Sequence, residues 1–447
     1  MTLKKDLRKQ WIKEKKLCKK RETPLVFGDQ KKVAKRIIKS FSKNDLVTLC
    51  APPQWGKTGV SLYVSYIMSQ KKGIDPGNVF FITAMSDRSW VQQTKSRVLP
   101  MWRKNVYHRN TLNNLEARIK ILREEKKDMD ILIIVDECHI ANKKKHILGK
   151  IFEEMGLKDQ ENLSTKNIKI LQISATPSNA LIDAEKWLNH EKIWAKVNPG
   201  YVSFQTLLDE DRIRDLHDLR TEEGSENYFS EVCLGKPMYH FIRSVACGIT
   251  GPSIYISTKA SIKKQCEKKG AEFVELNMTK TLKQIDEIYE NLNKQPEKHT
   301  FVLIKNMLGA SKTLPDKYMG SVHESTPCDK SYSSEIQGLP GRMCGWSKRR
   351  GSGGTKIYCQ RKIVENYLLL CESEFDFHTE GIIWNDSRLK INKNGKVNSK
   401  ESYISTEEIE EENSYISEIS EVSEVSEVSE ISEISEISEE KRTCPGI

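Results

Sequence analysis

Two short polar segments of the chain carry side chains suited to phosphate chemistry. The first is Gly56-Lys57-Thr58, which follows the apolar run Leu46–Cys50 and precedes an amphipathic stretch. A glycine lets the backbone approach a phosphate, a lysine supplies positive charge to the β- and γ-phosphates, and a threonine hydroxyl can ligate Mg²⁺. Amides at the start of the next helix face the anion, with the helix dipole behind them. The segment predicts a site for ATP, in which Gln54 of the same loop also takes part.

The second segment is Asp136-Glu137-Cys138-His139, directly after the apolar run Ile131–Val135. In a parallel sheet the ligand lies beyond the carboxyl ends of the strands. We expect Asp136 to hold Mg²⁺, directly or through water, and Glu137 to orient or deprotonate the attacking water. His139 is expected to sense the γ-phosphate or to couple the site to another lobe, and a structural histidine is the alternative.

Apolar runs alternate with amphipathic stretches around both segments. The strand candidates are Leu46–Cys50, Val79–Thr83, Asn105–His108, Ile131–Val135 and Ile168–Ile173. The helix candidates between them are Gly56–Met68, Ser89–Leu99 and Thr111–Glu125. This alternation is typical of βαβ units and a parallel sheet, in which strands buried on both faces read as continuous apolar runs.

The same alternation returns later in the chain and predicts a second α/β lobe. Its strand candidates are Ser253–Ser257, Glu272–Leu276 and Thr300–Ile304, and its helix candidates are Ala260–Lys269 and Leu282–Asn293. The predicted fold class is therefore α/β with two parallel-sheet lobes. The predicted units are a solvated basic arm (1–23), lobe 1 (24–205), an interdomain region (206–229), lobe 2 (230–372), a small extension (373–400) and an acidic tail (401–447). Within the extension, Trp384 and the turn signal Asn394-Gly395 predict a hairpin.

The tail differs in kind from the rest of the chain. Ser417–Glu436 repeats the tripeptide Ser-Glu-Ile/Val. A three-residue period builds a stable apolar face neither on an α-helix nor on a strand. We expect a disordered, acidic, low-complexity segment, with binding of a protein partner or autoinhibition as the alternative.

Charge and cysteine content restrict the class of protein further. The net charge is +10, and residues 401–447 carry fifteen Glu against one Lys and one Arg, so the rest of the chain carries about +23. A body this basic suits a polyanion such as nucleic acid. No secretory signal and no apolar run of about 18 residues is evident, so no membrane partner is expected. Eleven scattered cysteines without a CxxC pair favour a reducing, intracellular compartment over a zinc site or a disulfide framework.

Together these motifs resemble superfamily 2 helicases of the DEAD/DEAH-like group, over roughly residues 24–372. The resemblance implies two RecA-like lobes of the P-loop NTPase class, with ATP and Mg²⁺ in the cleft between them. Gln30 resembles the adenine-contacting glutamine of the family, and a surface residue is the alternative. Ser174-Ala175-Thr176 matches the motif that couples the nucleotide state to the other lobe.

The resemblance also implies a nucleic-acid track. Phe80–Met85 followed by Ser89–Thr94 is similar to the motif that contacts the nucleic-acid backbone, which assigns Trp90 and Gln93 to that role. His108–Thr111 is similar to the next such motif and adds Arg109.

Two segments of the second lobe resemble the fifth and sixth helicase motifs. They are Leu308–Leu314 and Gln337–Gly345. The second segment makes Arg342 the candidate arginine finger, which stabilises charge on the transferring phosphoryl group, and a structural or backbone-phosphate contact is the alternative. Two departures from the family pattern are Ala51, where the strict phosphate loop has its first glycine, and Gly345, where a second arginine is expected.

The sequences of the motifs are most similar to those of helicases of large nucleocytoplasmic DNA viruses. That likeness implies a viral protein of the host cytoplasm or virion, and it favours DNA over RNA by a small margin. The leading hypothesis is an ATP-dependent helicase that translocates along nucleic acid and unwinds it. The alternatives are a translocase that does not separate strands, a nucleic-acid-binding protein with a decayed ATPase, and a small-molecule kinase.

Overall fold

A computed structural model describes most of the chain up to residue 399. The described residues are 2–20, 22, 24–83, 85, 88–125, 129–138, 147–157, 160–165, 167–184, 188–244, 257–276, 282–305, 314–324, 331–346, 348–377, 379–385, 389–391 and 397–399. Several predicted features lie outside these residues. They are His139, all but Ser257 of the strand Ser253–Ser257, all but Leu314 of the motif Leu308–Leu314, the turn Asn394-Gly395, and the acidic tail 401–447.

Lobe 1 is built on six described strands that pair in parallel in the order β3-β2-β4-β5-β1-β6. The elements run α1 (Thr2–Lys20), α2 (Gly28–Ser40), β1 (Leu46–Cys50), α3 (Lys57–Lys71), β2 (Val79–Ile82), α4 (Arg88–Arg97), β3 (Val106–Tyr107), α5 (Leu112–Glu125), β4 (Ile131–Asp136), α6 (Ile147–Glu154), α7 (Gln160–Thr165), β5 (Ile168–Ser174), α8 (Ser178–Ala184) and β6 (His190–Trp194). Short 3₁₀ helices form at Pro76–Asn78, Pro100–Asn105 and Arg109–Thr111.

The five strands predicted for lobe 1 are confirmed to within two residues at each end. Every residue of β1 and β2 is buried, and so are the first five residues of β4. Burial on both faces explains their continuous apolar sequences, because helices cover each side of a parallel sheet. The prediction missed β6, since its sequence His190-Glu191-Lys192-Ile193-Trp194 begins with three polar residues.

Lobe 2 follows the linker helix α9 (Phe204–Asp209) and contains a second parallel arrangement of six described strands, in the order β7-β12-β11-β8-β10-β9. Its elements are β7 (Ile213–Arg214), α10 (Glu222–Val232), β8 (Tyr239–Ser244), α11 (Thr258–Lys269), β9 (Glu272–Leu276), α12 (Leu282–Asn291), β10 (Thr300–Lys305), β11 (Met319–His323), α13 (Tyr332–Ile336), α14 (Leu339–Arg342), β12 (Lys356–Tyr358) and α15 (Arg361–Glu372). The prediction of two parallel-sheet lobes is thereby confirmed.

Two predicted segments have a different structure. The interdomain region 206–229 is largely part of lobe 2, because β7 pairs with β12 and α10 contributes Tyr228 and Phe229 to the core of that lobe. A two-residue strand between charged residues carries too little apolar pattern to be recognised from sequence. Likewise the arm 1–23 is not a solvated segment. It forms helix α1, whose Leu7 is fully buried against lobe 1.

The extension forms the hairpin that the sequence predicts. Strands β13 (Trp384–Asn385), β14 (Leu389–Ile391) and β15 (Val397–Ser399) pair antiparallel. Its aromatic residues bind it to both lobes: Trp384 lies 6.3 Å from Tyr367 of α15, and Phe375 lies 5.5 Å from Trp194 of β6, between ring centroids.

Among the helices that the structure describes, none has both the length and the apolar composition needed to cross a membrane.

Candidate active site

The phosphate loop joins β1, in the interior of the first sheet, to the amino end of α3. Gly56 adopts φ +102°, a left-handed conformation that favours glycine. A Cβ atom at Gly56 would lie 2.1 Å from Nε2 of Gln30, and one at Gly59 would lie 2.3 Å from Oε1 of the same side chain. Gly56 and Gly59 therefore leave the space that the Gln30 amide occupies.

Gln30 is only 4% exposed, so it is not a surface residue. Its Oε1 atom accepts a hydrogen bond from the Phe27 amide at 2.9 Å. The position of this side chain between α2 and the phosphate loop suits the nucleotide-contacting role predicted for it. Gln54, Lys57 and Thr58 are half-buried along the same loop, and Gln54 has a left-handed φ of +59°.

Asp136 and Glu137 lie at the carboxyl end of β4, two strands away from the phosphate loop in the sheet order. The Asp136 carboxylate is held at both oxygens: Oδ2 accepts from the Trp90 indole at 3.0 Å, and Oδ1 accepts from the Glu137 amide at 3.2 Å. Glu137 is 4% exposed and has φ +52°. A non-glycine residue in this conformation is uncommon and is typical of functional sites.

Burial raises the pKa of Glu137 to about 8, although the nearby positive charges of Lys57 and Arg342 oppose that shift. Lys57 comes from the phosphate loop, whereas Arg342 comes from the end of α14 in lobe 2. A buried carboxyl group whose charge interacts with both cations is suited to act on a proton.

Arg342 is 1% exposed, and burial lowers its pKa to about 10, while Glu324 and Glu137 stabilise its charge. Helix α14 brings it there by packing on the phosphate loop: a Cβ atom at Gly341 would lie 3.0 Å from Cβ of Pro53. Glu324 anchors this helix, because its Oε2 accepts from the Leu339 amide at 3.0 Å. The structure thus brings the predicted finger and the predicted base close enough for their charges to interact.

Gly345, the departure from the family pattern, has a structural reason. Its φ is +136°, and its amide and carbonyl exchange two 3.0 Å hydrogen bonds with the backbone of Val202. A Cβ atom there would lie 3.4 Å from Cβ of Gln54. That distance is an ordinary van der Waals contact, so the backbone conformation, and not lack of space, would strain an arginine at this position.

The segments on either side of this bridge are tied to the phosphate loop. The indole of Trp346 donates to the Trp55 carbonyl at 2.9 Å, and the hydroxyl of Tyr201 donates to the Pro53 carbonyl. The rings of Tyr201 and Trp346 meet edge to face, with centroids 5.6 Å apart. Sequence reasoning missed both residues, since single aromatic residues outside a motif have no recognisable pattern.

The predicted coupling residues Ser174 and Thr176 lie at the interlobe surface. The Gln337 amide of lobe 2 donates to Oγ1 of Thr176 at 2.5 Å and lies 3.5 Å from Oγ of Ser174. The Tyr367 hydroxyl donates to the carbonyl of Ala175 at 3.1 Å. The end of β5 and the loop after it are therefore joined to lobe 2 by direct hydrogen bonds.

Trp90, which the sequence assigns to nucleic acid, is 1% exposed, and its indole donates to Asp136 instead. A buried indole N–H needs an acceptor, and the carboxylate supplies it. Gln93 and Arg109 are half-buried: Gln93 lies within α4, which follows β2, and Arg109 lies directly after β3, the neighbour of β2 in the first sheet.

The donor set fits Mg²⁺. The ion is usually bound through one or two carboxylates together with substrate phosphates and water, and Asp136 and Thr58 offer a carboxylate and a hydroxyl. The two hydrogen bonds to Asp136 fix its orientation and leave lone pairs for a ligand. No cluster of three His, Cys, Asp or Glu side chains within the described part of the chain could hold a metal by itself. Binding of Mg²⁺ here would therefore depend on the nucleotide.

Comparison with known proteins gives similarity of architecture only. No family model and no curated protein matches the sequence. Similar solved structures include Dbp5 of S. cerevisiae bound to RNA and ADP BeF3, at 13% identity and TM-score 0.44, covering 78% of this chain and 92% of that one. The DEAD-box helicase Mss116 bound to ssRNA and UDP-BeF has 15% identity and TM-score 0.45, with coverages of 78% and 73%. The Type ISP restriction-modification enzyme LlaBIII bound to DNA has 14% identity and TM-score 0.48, with coverages of 79% and 30%. Similarity at this level concerns the fold alone, and the chemistry is inferred from the side chains of this chain.

Proposed function

We propose that this protein is an ATP-dependent helicase of superfamily 2, which hydrolyses ATP to move along nucleic acid and to separate its strands. The observation that carries the proposal is that the lobe 2 helix bearing Arg342 packs on Pro53 of the phosphate loop, which brings the charge of Arg342 within electrostatic reach of Glu137. A site completed only when two lobes meet links hydrolysis to their relative motion, which a single-lobe kinase does not need.

In this proposal each residue of the cleft has a separate role. Lys57 and the amides at the start of α3 hold the phosphates, and Gln30 fixes the base and the loop. Mg²⁺, held by Thr58 and Asp136, would neutralise charge on the phosphates. Glu137 takes the proton of the attacking water or orients it, and Arg342 stabilises negative charge on the transferring group.

The contact between Gln337 and Thr176 supports coupling between hydrolysis and motion. When the phosphate state changes, the loop after β5 shifts, and Gln337 transmits that shift to lobe 2. Nucleic acid would lie along the edge that carries Gln93 and Arg109, mainly through phosphate contacts, which suits the basic body of the protein. The wording of the motifs supports DNA as the track and a large DNA virus as the source.

The test is ATP turnover measured with no polynucleotide, and then with single- and double-stranded DNA and RNA. We expect at least one polynucleotide to stimulate turnover, and Lys57→Ala to abolish the stimulated rate. A strand-displacement assay on the stimulating substrate separates unwinding from translocation alone. Absence of turnover under every condition would favour a binding protein with a decayed ATPase.

A further inference from the structure

Helix α1 is fixed to lobe 1 by one of its faces. Leu7 is fully buried, and the ring of Trp11 stacks on Tyr66 of α3 with centroids 4.0 Å apart and planes inclined by 16°. The Gln70 amide donates to the Lys4 carbonyl at 2.7 Å. At the next contact, Oε1 of Gln10 accepts from the Met101 amide at 3.1 Å. The helix is therefore a docked element with a fixed orientation.

The opposite face of α1 is basic and exposed. It is formed by Lys5, Arg8, Lys9, Lys13, Lys15, Lys16, Lys19 and Lys20, which we call the basic face. At 100° per residue these side chains fall within an arc of about 160°, centred nearly opposite Leu7. The two acidic residues of the helix, Asp6 and Glu14, project outside that arc and are half-buried. From Lys5 to Lys20, Ile12 is the one side chain within the arc that carries no charge.

Within the described part of the chain, no ion pair compensates the charge of the basic face. On α11, by contrast, Lys264 lies 2.7 Å from Glu222, and Lys268 lies 2.8 Å from Glu226. None of the basic-face residues forms an ion pair with another described residue. Like charges spaced four residues apart, such as Lys5 with Lys9, disfavour a helix. An anionic partner would relieve this repulsion.

The basic face lies away from the candidate active site. Helix α1 docks on the far end of α3, at Tyr66 and Gln70, whereas the phosphate loop lies at the amino end of that helix. Its other anchor, Met101, belongs to the 3₁₀ helix that precedes β3, at the amino end of that strand. Lys57 and Asp136 lie at the carboxyl edge of the same sheet, so α1 marks the opposite edge.

We propose that the basic face of α1 is a second nucleic-acid-binding surface, which contacts the phosphate backbone outside the track between the lobes. The helix has 19 residues and is therefore about 28 Å long, enough to follow several successive phosphates. The inference rests on the proposed function, because it assigns an additional contact to the same polyanion.

A membrane surface is the less suitable partner for this helix. Amphipathic helices bind membranes by burying a free apolar face in the lipid headgroup region. In α1 the apolar face is occupied, since Leu7 and Trp11 pack against lobe 1. Phosphate contacts need only exposed cations, and those of the basic face form no ion pair with another described residue.

The experiment measures polynucleotide affinity of the full chain against salt concentration. The test variant combines Lys5→Gln, Lys9→Gln, Lys13→Gln and Lys16→Gln, which keeps good helix-forming residues. The matched control removes the same charge from α11 with Lys259→Gln, Lys263→Gln, Lys264→Gln and Lys268→Gln. A third variant replaces the same four α1 lysines with arginine and keeps the charge. Circular dichroism verifies that each variant is folded.

Binding of labelled DNA and RNA about 40 nucleotides long is followed by fluorescence anisotropy between about 50 and 200 mM KCl. We expect the α1 glutamine variant to lose affinity at least about ten-fold, and the slope of log K against log salt to become shallower by about 2 to 4. The arginine variant and the α11 control should stay near the wild-type protein. ATP turnover without polynucleotide should be unchanged in all of them.

Equal affinity of the wild type and the α1 glutamine variant would overturn the inference, and so would an equal loss in the α11 control. Binding of the wild type to phosphatidylserine–phosphatidylcholine vesicles through α1, with polynucleotide affinity unaffected, would assign the face to membranes instead. Stimulated ATP turnover with no role for α1 would leave the proposed function standing. Binding through α1 without any stimulation of turnover would overturn the proposed function and leave this inference standing.

Discussion

Glu137 combines two costs that a purely structural residue would avoid. Its carboxyl group is buried, which raises its pKa to about 8, and its backbone has φ +52°. Residues held in such a conformation cost about 1–3 kcal/mol and persist where the surrounding structure determines them. A residue that lowers the stability of the fold and lies in a cleft is typical of a catalytic site.

We predict that Glu137→Gln stabilises the protein at alkaline pH. The folded-state pKa of about 8 lies above the ordinary value of 4.5, so the contribution of this carboxyl is most favourable below pH 4.5. That contribution is lost as the pH rises towards 8, whereas glutamine does not titrate. The free energy of unfolding of the variant should exceed that of the wild type by roughly 1–3 kcal/mol above pH 8. Urea denaturation across this pH range measures the difference.

The control is Glu223→Gln, which removes an exposed carboxylate on α10. Its effect on unfolding should be small and nearly independent of pH. If Glu137→Gln shows the same flat profile as the control, the description of Glu137 as a buried, destabilising carboxyl is incorrect. Turnover of ATP should nevertheless fall by about 100-fold or more in Glu137→Gln alone.

Trp90→Phe distinguishes a partner of Asp136 from a nucleic-acid contact. The change keeps an aromatic ring in the core and removes only the indole donor, 3.0 Å from Asp136. We predict that kcat for ATP falls about ten-fold, because the carboxylate loses a fixing hydrogen bond. The Kd for polynucleotide, measured by anisotropy, should stay the same. A higher Kd for polynucleotide with unchanged kcat would support the prediction that Trp90 binds nucleic acid.

At the scale of elements, two contacts between the lobes have different roles. One is the backbone bridge between Val202 and Gly345, and the other is the side-chain contact between Gln337 and Thr176. The bridge uses backbone groups and fixes the segment that follows Arg342. The second contact uses side chains that are both buried, 161 residues apart in sequence. It is the place where mutation can separate coupling from catalysis.

A double-mutant cycle with Gln337→Ala and Thr176→Ala tests that coupling. Each single change should reduce the stimulation of ATP turnover by polynucleotide, since either one breaks the same hydrogen bond. The double variant should lose little more than the worse single variant, which corresponds to a coupling energy of about 1 kcal/mol in activation free energy. Fully additive losses would show that the two side chains act separately.

Elements buried on both faces were predictable, and short or polar ones were not. Ile131–Val135 is apolar throughout because helices cover both faces of the sheet. In lobe 2, β12 has three residues and β8 reads Tyr-His-Phe-Ile-Arg-Ser, so neither has an apolar run to recognise. Helix α1 was predicted as a solvated arm because of its lysines, although it packs against lobe 1. Leu7 and Trp11, four residues apart, already indicated an apolar face for packing.

At the scale of the whole molecule, the candidate site exists only where the lobes meet. The phosphate loop, Asp136 and Glu137 come from lobe 1, and Arg342 comes from lobe 2 on a helix that packs against the loop. Sequence motifs predicted these four parts because phosphate chemistry demands particular side chains. They could not predict Tyr201 or Trp346, whose hydrogen bonds to the loop depend on how the lobes close.

Whether lobe 2 completes the active site is tested most directly by polynucleotide-stimulated ATP turnover in Arg342→Ala and Arg342→Lys, beside the control Arg361→Ala. Arg361 is exposed on α15, outside the motif, and its side chain pairs with Glu365. We predict that kcat falls by about 10³-fold in Arg342→Ala, while the Kd for a fluorescent ATP analogue changes by less than about ten-fold. Lysine should restore turnover only in part, because it lacks the planar fork of the guanidinium. Turnover in Arg342→Ala equal to that of the control would contradict the claim that lobe 2 completes the site.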